Sequence, residues 1–189
     1  CALIAGADSL TLTVTAAGTY SIVVTNGSIS QSATVIVNEV ALPITYIVTG
    51  GGNYCSSQEG GLEIVLSGCQ ADVNYQLILN GNTNVGLPSG CDGNSIIFAD
   101  LTLAGNYTVN ATTILGSCTS TMSNSATITV EQAITWYIDE DGDGFGEILA
   151  SLEACAQPSG YVSDSTDCDD TPITGASIHP FALEVCGNN

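Results

Sequence analysis

The chain has 189 residues with 19 acidic side chains, one His and neither Lys nor Arg, so its formal net charge is −19. Without Lys or Arg the chain lacks the side chains that usually bind phosphate, which argues against nucleic-acid binding and P-loop chemistry. Anionic membranes would repel the chain. A hydrophobic fraction of 44% favours a packed fold over disorder. We therefore expect no nucleic-acid partner, no membrane insertion, and an external cation as the main counterion.

Strand patterns dominate the chain from its start. The segments LTLTVT (10–15) and SATVIV (32–37) alternate with period two, and Gly and Asn separate such runs. No long amphipathic helix is indicated before Glu131. The sequence predicts an all-β fold of β-sandwich type. For residues 41–131 the predicted strands lie near 43–49, 62–67, 73–79, 94–98, 105–113 and 119–130.

An internal repeat divides the chain. AAGTYSIVVT (16–25) matches LAGNYTVNAT (103–112), and QSATVIVNE (31–39) matches NSATITVEQ (124–132). Residues 1–40 are therefore predicted to be the back half of a module whose full form is residues 41–131. Half a sandwich leaves an apolar face and open strand edges. Two explanations stay open: the sequence is cut there, or a neighbouring copy supplies the missing strands by strand addition and builds a filament.

The chain contains eight cysteines and no CxxC or CxxH pair. An even number in β-type sequence is typical of disulfides in an oxidising environment, whereas a zinc site is the weaker alternative. We therefore expect an extracellular or cell-surface location. Cys55 precedes the second strand of the full module and Cys118 opens its last strand, which favours a Cys55–Cys118 pair. Cys69 and Cys91 bracket the segment NGNTNVGLPSG, which favours a Cys69–Cys91 pair.

The full module resembles a known family of repeats. The motifs YC, L-S-G-x-Q-x-x-V-N-Y-Q-L, AG-x-Y-T-V and GSCTSTM are similar to those in the immunoglobulin-like repeats of large secreted surface proteins of Bacteroidota. The similarity covers residues 41–131 well and residues 1–40 partly. It implies immunoglobulin-like β-sandwich modules in an adhesin or surface fibre.

The acidic segment DEDGDGFGE (139–147) has the spacing of a calcium loop. Positions 1, 3 and 5 supply carboxylates from Asp139, Asp141 and Asp143, position 7 supplies the Phe145 carbonyl, and position 9 supplies Glu147 directly or through water. Position 12 is Ala150, where an EF-hand requires Glu, so an EF-hand proper is not expected.

A second acidic stretch, DSTDCDD (164–170), is the nearest source of further ligands. Asp167, Asp169 and Asp170 are the candidates, and Asp164 is a weaker one; hard carboxylate oxygens favour Ca²⁺. A solvated acidic surface is the alternative. The glycines and the absence of cations favour metal binding.

Residues 136–189 resemble the MopE-type metal-binding repeat of bacterial surface proteins. The motifs Y-x-D-x-D-G-D-G-x-G, P-x-G-Y-V, D-C-D-D and P-x-A-x-E-V-C carry the similarity, and residues 132–189 are taken as a small, loop-rich, disulfide-stapled calcium-binding unit. Within it we favour a Cys155–Cys168 pair, which leaves Cys1 and Cys186 to pair with each other or between subunits. Ser9 and Ser165 lie in D-[ST]-x patterns that resemble O-glycosylation signals.

These features predict a structural or adhesive subunit of an extracellular bacterial surface protein or filament, rigidified by calcium and disulfides. Copies of the same chain are the expected partners. The alternative function is an extracellular module that binds a metal or a glycan. We do not expect an enzyme, because the acidic pairs lie in glycine-rich metal-loop spacing and no other acid has a matched partner.

Overall fold

The computed structural model describes residues 13–182, and it consists mostly of β-strands. Fourteen strands form four sheets, and the described residues contain no α-helix, only a 3-10 turn at Gly175–Ser177. The all-β prediction is therefore confirmed. Among these residues no helix is long and apolar enough to cross a membrane.

The strands follow one another along the chain as β1 (Gly18–Asn26), β2 (Ile29–Val37), β3 (Val48–Gly50), β4 (Gly52–Cys55), β5 (Leu62–Leu66), β6 (Val73–Leu79), β7 (Thr83–Ser89), β8 (Ile96–Leu101), β9 (Gly105–Thr113), β10 (Thr119–Thr121), β11 (Ala126–Glu131), β12 (Ile134–Ile138), β13 (Glu147–Ala154) and β14 (Tyr161–Val162).

Residues 48–131 form two sheets around one hydrophobic core. One sheet has the order β4-β11-β9-β6-β7, with β10 added to β9, and the other has the order β3-β5-β8. Tyr75 and Tyr107 enter the core from the first sheet, and Ile64 and Leu66 enter it from the second. Alternation explains the burial, since every second side chain of β9, beginning at Tyr107, is buried. This region is a β-sandwich.

The chain changes sheets between β3 and β4, within the run of three glycines at residues 50–52. Gly50 and Gly51 have φ values of +101° and +76°. A Cβ atom on either residue would collide with a backbone carbonyl, that of Glu63 or that of Thr127. Glycine is therefore required at this crossing for both its conformation and its size.

The first two strands stand apart from the sandwich sheets. Among the described strands, β1 and β2 pair only with each other, as an antiparallel hairpin with Gly27 and Ser28 in the turn. Large apolar side chains on the hairpin are exposed, among them Ile22 and Val24. Cys1 and Ser9 of the predicted partial module lie outside the described residues.

Strands β12, β13 and β14 form the fourth sheet, which two residues separate from the end of β11. Three bonds hold this junction. The Ser56 amide donates to the Glu131 carbonyl (3.0 Å), the Ala133 amide donates to Ser56 Oγ (2.8 Å), and a disulfide joins Cys55 to Cys155. The C-terminal unit is thus fastened to the sandwich at one corner.

The predicted Cys55–Cys118 pair is wrong. Cys55, the last residue of β4, pairs with Glu131 of β11, three residues beyond Ile128, which pairs with Gly105 at the start of β9. Cys118 leads into β10, which pairs with the far end of β9 near Thr112. At about 3.3 Å per residue these two ends of β9 lie about 20 Å apart, whereas disulfide-linked Cα atoms lie within about 7 Å.

The predicted Cys155–Cys168 pair is wrong for the same reason. Cys155 follows Ala154, which pairs with Ile134 at the start of β12, whereas the loop that carries Cys168 lies near the end of β12. Cys118 and Cys168 are unpaired among the described residues. Cys1 and Cys186, whose pairing the sequence left open, both lie outside the described residues. The predicted Cys69–Cys91 pair is confirmed.

Candidate metal centre

The first acidic loop runs from residue 139 to residue 146 and folds around one carboxylate. Asp139 Oδ1 accepts hydrogen bonds from the amides of Gly142 (2.8 Å) and Asp143 (3.1 Å), and its Oδ2 accepts one from Gly144 (3.2 Å). Gly142 and Gly144 have φ values of +80° and +94°. The alternating glycines therefore permit the turn that points backbone N–H groups at Asp139.

The second acidic loop follows β14 and is tied to the first. The Gly146 amide donates to the Asp164 carbonyl (3.1 Å), and the Asp167 amide donates to the Gly146 carbonyl (3.3 Å). Asp170 Oδ1 accepts from the amides of Glu140 (2.7 Å) and Asp141 (3.3 Å). These bonds place the carboxylates of both loops in one cluster.

Four carboxylates in the cluster share one arrangement. In each, Oδ1 accepts a backbone hydrogen bond, while Oδ2 is buried and has no hydrogen-bond partner among the described residues. The four residues are Asp141, Asp143, Asp167 and Asp170. Asp170 Oδ1 accepts the two bonds described above. The Oδ1 atom of Asp141 accepts from the Asp143 amide (3.1 Å), that of Asp143 from the Phe145 amide (2.9 Å), and that of Asp167 from the Asp169 amide (3.0 Å). One oxygen of each residue shapes its loop, and the other remains available to a ligand.

The acidic side chains form two groups whose potential ligand atoms lie within 4.8 Å of one another. One group is Asp139, Asp141 and Asp170, and the other is Asp141, Asp143 and Asp167. Asp141 belongs to both groups. Each group draws ligands from both loops, so a bound cation would bridge the two loops.

The electrostatics of the cluster favour a cation. Burial raises the pKa of Asp141, and the charges of Asp143, Asp167 and Asp170 raise it further, against a backbone hydrogen bond that lowers it. No Lys or Arg exists in the chain to offset these charges. The ring of His179 is stacked on Phe145 with a centroid distance of 5.1 Å. A cation from solution is thus the natural partner of the cluster.

Five of the eight predicted ligand residues meet in these two groups. They are Asp139, Asp141, Asp143, Asp167 and Asp170. The other three predicted ligand residues, Glu147, Asp169 and Phe145, are not in either group. Glu147 is exposed at the start of β13, and Asp169 Oδ1 accepts from the Thr171 amide (3.3 Å). Glu147 and Asp169 both line an open groove of about 520 Å³ beside the centre. Phe145 contributes its amide, which bonds to Asp143.

Sequence reasoning missed Gly175. This residue is buried in the 3-10 turn, where its amide donates to the Thr171 carbonyl (2.8 Å). A Cβ atom on Gly175 would collide with the Asp169 carbonyl and with Asp141 Oδ2. The turn therefore forms one wall of the centre. No spacing in the sequence connects Gly175 to the acidic loops, so only the folded chain reveals it.

Ser165, the predicted glycosylation site within the described residues, is half-buried in the second loop.

Comparison with models of known protein families finds no match, and comparisons with curated proteins and with solved structures find none either. The chemistry of the donor set itself must therefore indicate the ligand. That set consists of carboxylate oxygens, and four of them are buried without a hydrogen-bond partner in residues 13–182. It fits a hard divalent cation.

Proposed function

We propose that the two acidic loops bind Ca²⁺ and that the chain is a structural segment of an extracellular bacterial surface protein or filament. The observation that carries the metal assignment is the set of four buried Oδ2 atoms that have no hydrogen-bond partner in the part of the chain that the structure describes. Buried polar groups are normally paired, and a cluster of unpaired carboxylate oxygens is explained when an ion completes it.

Calcium suits the donor set better than other common ions. It takes six to eight oxygen ligands in flexible geometry, whereas Mg²⁺ demands a near-ideal octahedron and retains water. Zinc and copper favour imidazole and thiolate ligands, and neither is among the grouped side chains. The oxygens of Asp139, Asp141, Asp143, Asp167 and Asp170 would hold the ion. Since Asp141 belongs to both groups, the centre offers ligands for two neighbouring ions.

Bound calcium would act on stability rather than on catalysis. It would cancel repulsion within the cluster and bridge the loops that follow β12 and β14. An ion that binds only the folded form adds about 4 kcal/mol to the free energy of unfolding when its free concentration is 1,000 times the dissociation constant. The Cys55–Cys155 disulfide and the two-residue link would carry that rigidity to the sandwich.

Two features support an immunoglobulin-like assignment of the sandwich. The Tyr107 hydroxyl, at the start of β9, donates to the Leu103 carbonyl four residues upstream (2.7 Å), as in the tyrosine corner of such domains. Strand β4 also pairs in parallel with β11, within an otherwise antiparallel sheet. The two disulfides are consistent with an extracellular protein. We propose a role in a surface fibre on the basis of this combination of modules.

Isothermal titration of chelator-treated protein with CaCl₂ tests the metal proposal. We expect binding in the wild type and a loss of affinity of at least about tenfold in Asp141→Asn, because this side chain belongs to both groups. Asp164→Asn is the matched control, since Asp164 Oδ1 accepts only from Thr166, in the same loop. An absence of heat in the wild type, or an equal loss in both variants, would leave a solvated acidic surface as the correct interpretation.

A further inference from the structure

The β1–β2 hairpin has two chemically different faces. Side chains alternate along each strand, and the pairing of Tyr20 with Val35 and of Ile22 with Ala33 fixes which residues share a face. We define the apolar face by Tyr20, Ile22, Val24, Ile29, Ala33, Val35 and Val37. Two polar side chains, Gln31 opposite Val24 and Asn26 beside the turn, lie on the same face. The opposite face is mostly hydroxyl-bearing and carries Thr19, Ser21, Val23, Thr25, Ser30, Ser32, Thr34 and Ile36.

The apolar face is open to solvent. Ile22 is 56% exposed, Val24 is 65% exposed and Val35 is 55% exposed. An isolated two-stranded hairpin is marginally stable in water, and it gains stability when further strands cover its apolar side. The described residues provide no such cover.

The internal repeat identifies what the apolar face corresponds to in the complete sandwich. Tyr20 aligns with Tyr107, and the Tyr20 hydroxyl donates to the Ala16 carbonyl four residues upstream (2.8 Å), as the Tyr107 hydroxyl does to Leu103. The other aligned positions are Ile22 with Val109, Val24 with Ala111, Ala33 with Ala126 and Val35 with Ile128. Their counterparts in the sandwich are all buried, at 4% exposure or less. The apolar face thus corresponds to the core-facing side of β9 and β11, although β1 and β2 pair with each other two residues out of the β9–β11 register.

The sandwich also shows which strands cover that side. Strands β3, β5 and β8 form the facing sheet, β6 pairs with the free edge of β9, and β4 pairs with the free edge of β11. All of them come from residues 48–101. We propose that the apolar face of the β1–β2 hairpin binds a polypeptide segment with the strand pattern of residues 48–101, and that the two together form a second sandwich.

Charge is compatible with this partner. No acidic residue lies between residues 13 and 38, so the hairpin is an uncharged surface on a strongly anionic chain. The side chains that residues 48–101 direct into the core, such as Ile64, Leu66 and Leu101, are uncharged as well. A segment of this type can therefore approach the hairpin without repulsion from it.

A second folded copy of this chain is a poorer partner. Its residues 48–101 already pair with its own β9 and β11, and they share its core. Releasing them would unfold that sandwich. The hairpin therefore requires a segment whose strands are not already engaged.

The test adds a separately prepared polypeptide of residues 41–101, with Cys55→Ser, to the full chain in the presence of chelator. Hydrogen exchange at the amides of residues 18–37 is then measured. We expect exchange to slow on the order of 100-fold, as in strands that open only with the whole domain. Ile22→Asp, on the apolar face, should abolish the protection, whereas Ser21→Asp, on the opposite face, should retain it.

Unchanged hydrogen exchange at residues 18–37 on addition of the segment overturns the proposal. An equal loss of protection in Ile22→Asp and Ser21→Asp overturns it as well. A dimer of the chain alone that Ile22→Asp dissociates overturns it in favour of a second copy, with two hairpins packed face to face. Should the added segment be insoluble, a chain in which residues 1–14 are replaced by a second copy of residues 41–101 decides the matter. Hairpin amides that still exchange rapidly in that chain overturn the proposal. Because chelator is present throughout, the outcome is independent of the proposed calcium site.

Discussion

Removal of the Cys55–Cys155 disulfide by a double Ser substitution should destabilise the protein more than removal of Cys69–Cys91. The chain-entropy model relates the stabilisation to the length of the closed loop. The first bridge has a sequence separation of 100 and the second a separation of 22. The model then gives about 4.7 kcal/mol for the first and about 3.4 kcal/mol for the second. For a chain of this size, the larger value corresponds to a decrease in Tm of about 10–19 °C.

Urea denaturation monitored by circular dichroism, with differential scanning calorimetry on the same samples, measures both losses. Cys118→Ser provides the matched control. Cys118 is half-buried and unpaired among the described residues, so its replacement by a residue of similar size should change the free energy of unfolding by less than about 0.5 kcal/mol. Mass spectrometry of a non-reduced digest should show the peptide containing Cys55 linked to that containing Cys155.

Two results would refute this reasoning. A loss of several kcal/mol in Cys118→Ser, with Cys55 found linked to Cys118, would restore the pairing that sequence order alone favours. Equal stability of the wild type and the variant without Cys55–Cys155 would show that the bridge does not constrain the unfolded chain, so that the C-terminal unit is held to the sandwich by other contacts.

Three further predictions concern single side chains. Gly175→Ala should weaken calcium binding by at least about tenfold in titration calorimetry, because the added methyl group meets the Asp141 carboxylate, whereas Ala176→Ser, at an exposed neighbour, should bind as the wild type does. The calcium-induced rise in Tm should shrink as the pH falls through the raised pKa of Asp141 toward the ordinary value of 3.8. The reason is that the ion-free fold favours the protonated carboxyl, whereas calcium requires the ionised one. A rise in Tm that is independent of pH in this range would contradict the assignment. In urea denaturation, Tyr107→Phe should lower the free energy of unfolding by about 1–2 kcal/mol, because it removes a hydrogen bond from a tyrosine that is 1% exposed. Tyr20→Phe should lower it by less than about 0.5 kcal/mol. Equal losses in the two variants would indicate that the hairpin is already covered.

Local patterns were enough to predict β5, β6, β8, β9 and the acidic loops, but the predicted strand ranges did not include β4, β7 or β12–β14. Period-two alternation identifies β9, and the repeated Asp and Gly residues place Asp139, Asp141 and Asp143 in one turn, because these properties depend on neighbours only a few residues away. The two separate loops were also correctly expected to combine, since Asp167 and Asp170 meet the first loop.

The limits of sequence reasoning are clearest at Glu147, Asp169 and Gly175. Glu147 and Asp169 have the right chemistry and spacing, yet one begins a strand and the other turns back to its own loop. Gly175 has no ligand chemistry, yet its missing side chain makes room for Asp141. Their roles depend on how the loops approach each other.

The amino-acid sequence by itself determined the all-β class, the acidic loops and the Cys69–Cys91 bridge, because strand alternation, turns and short loop closures are local properties of the chain. Only the tertiary structure decided the Cys55–Cys155 pair, the choice among acidic side chains and the exposure of the β1–β2 hairpin. Residues that are close in sequence can lie about 20 Å apart along one strand. Pairing between strands, in contrast, brings together residues that are 100 positions apart. Which distant residues meet is therefore a property of the packed sheets.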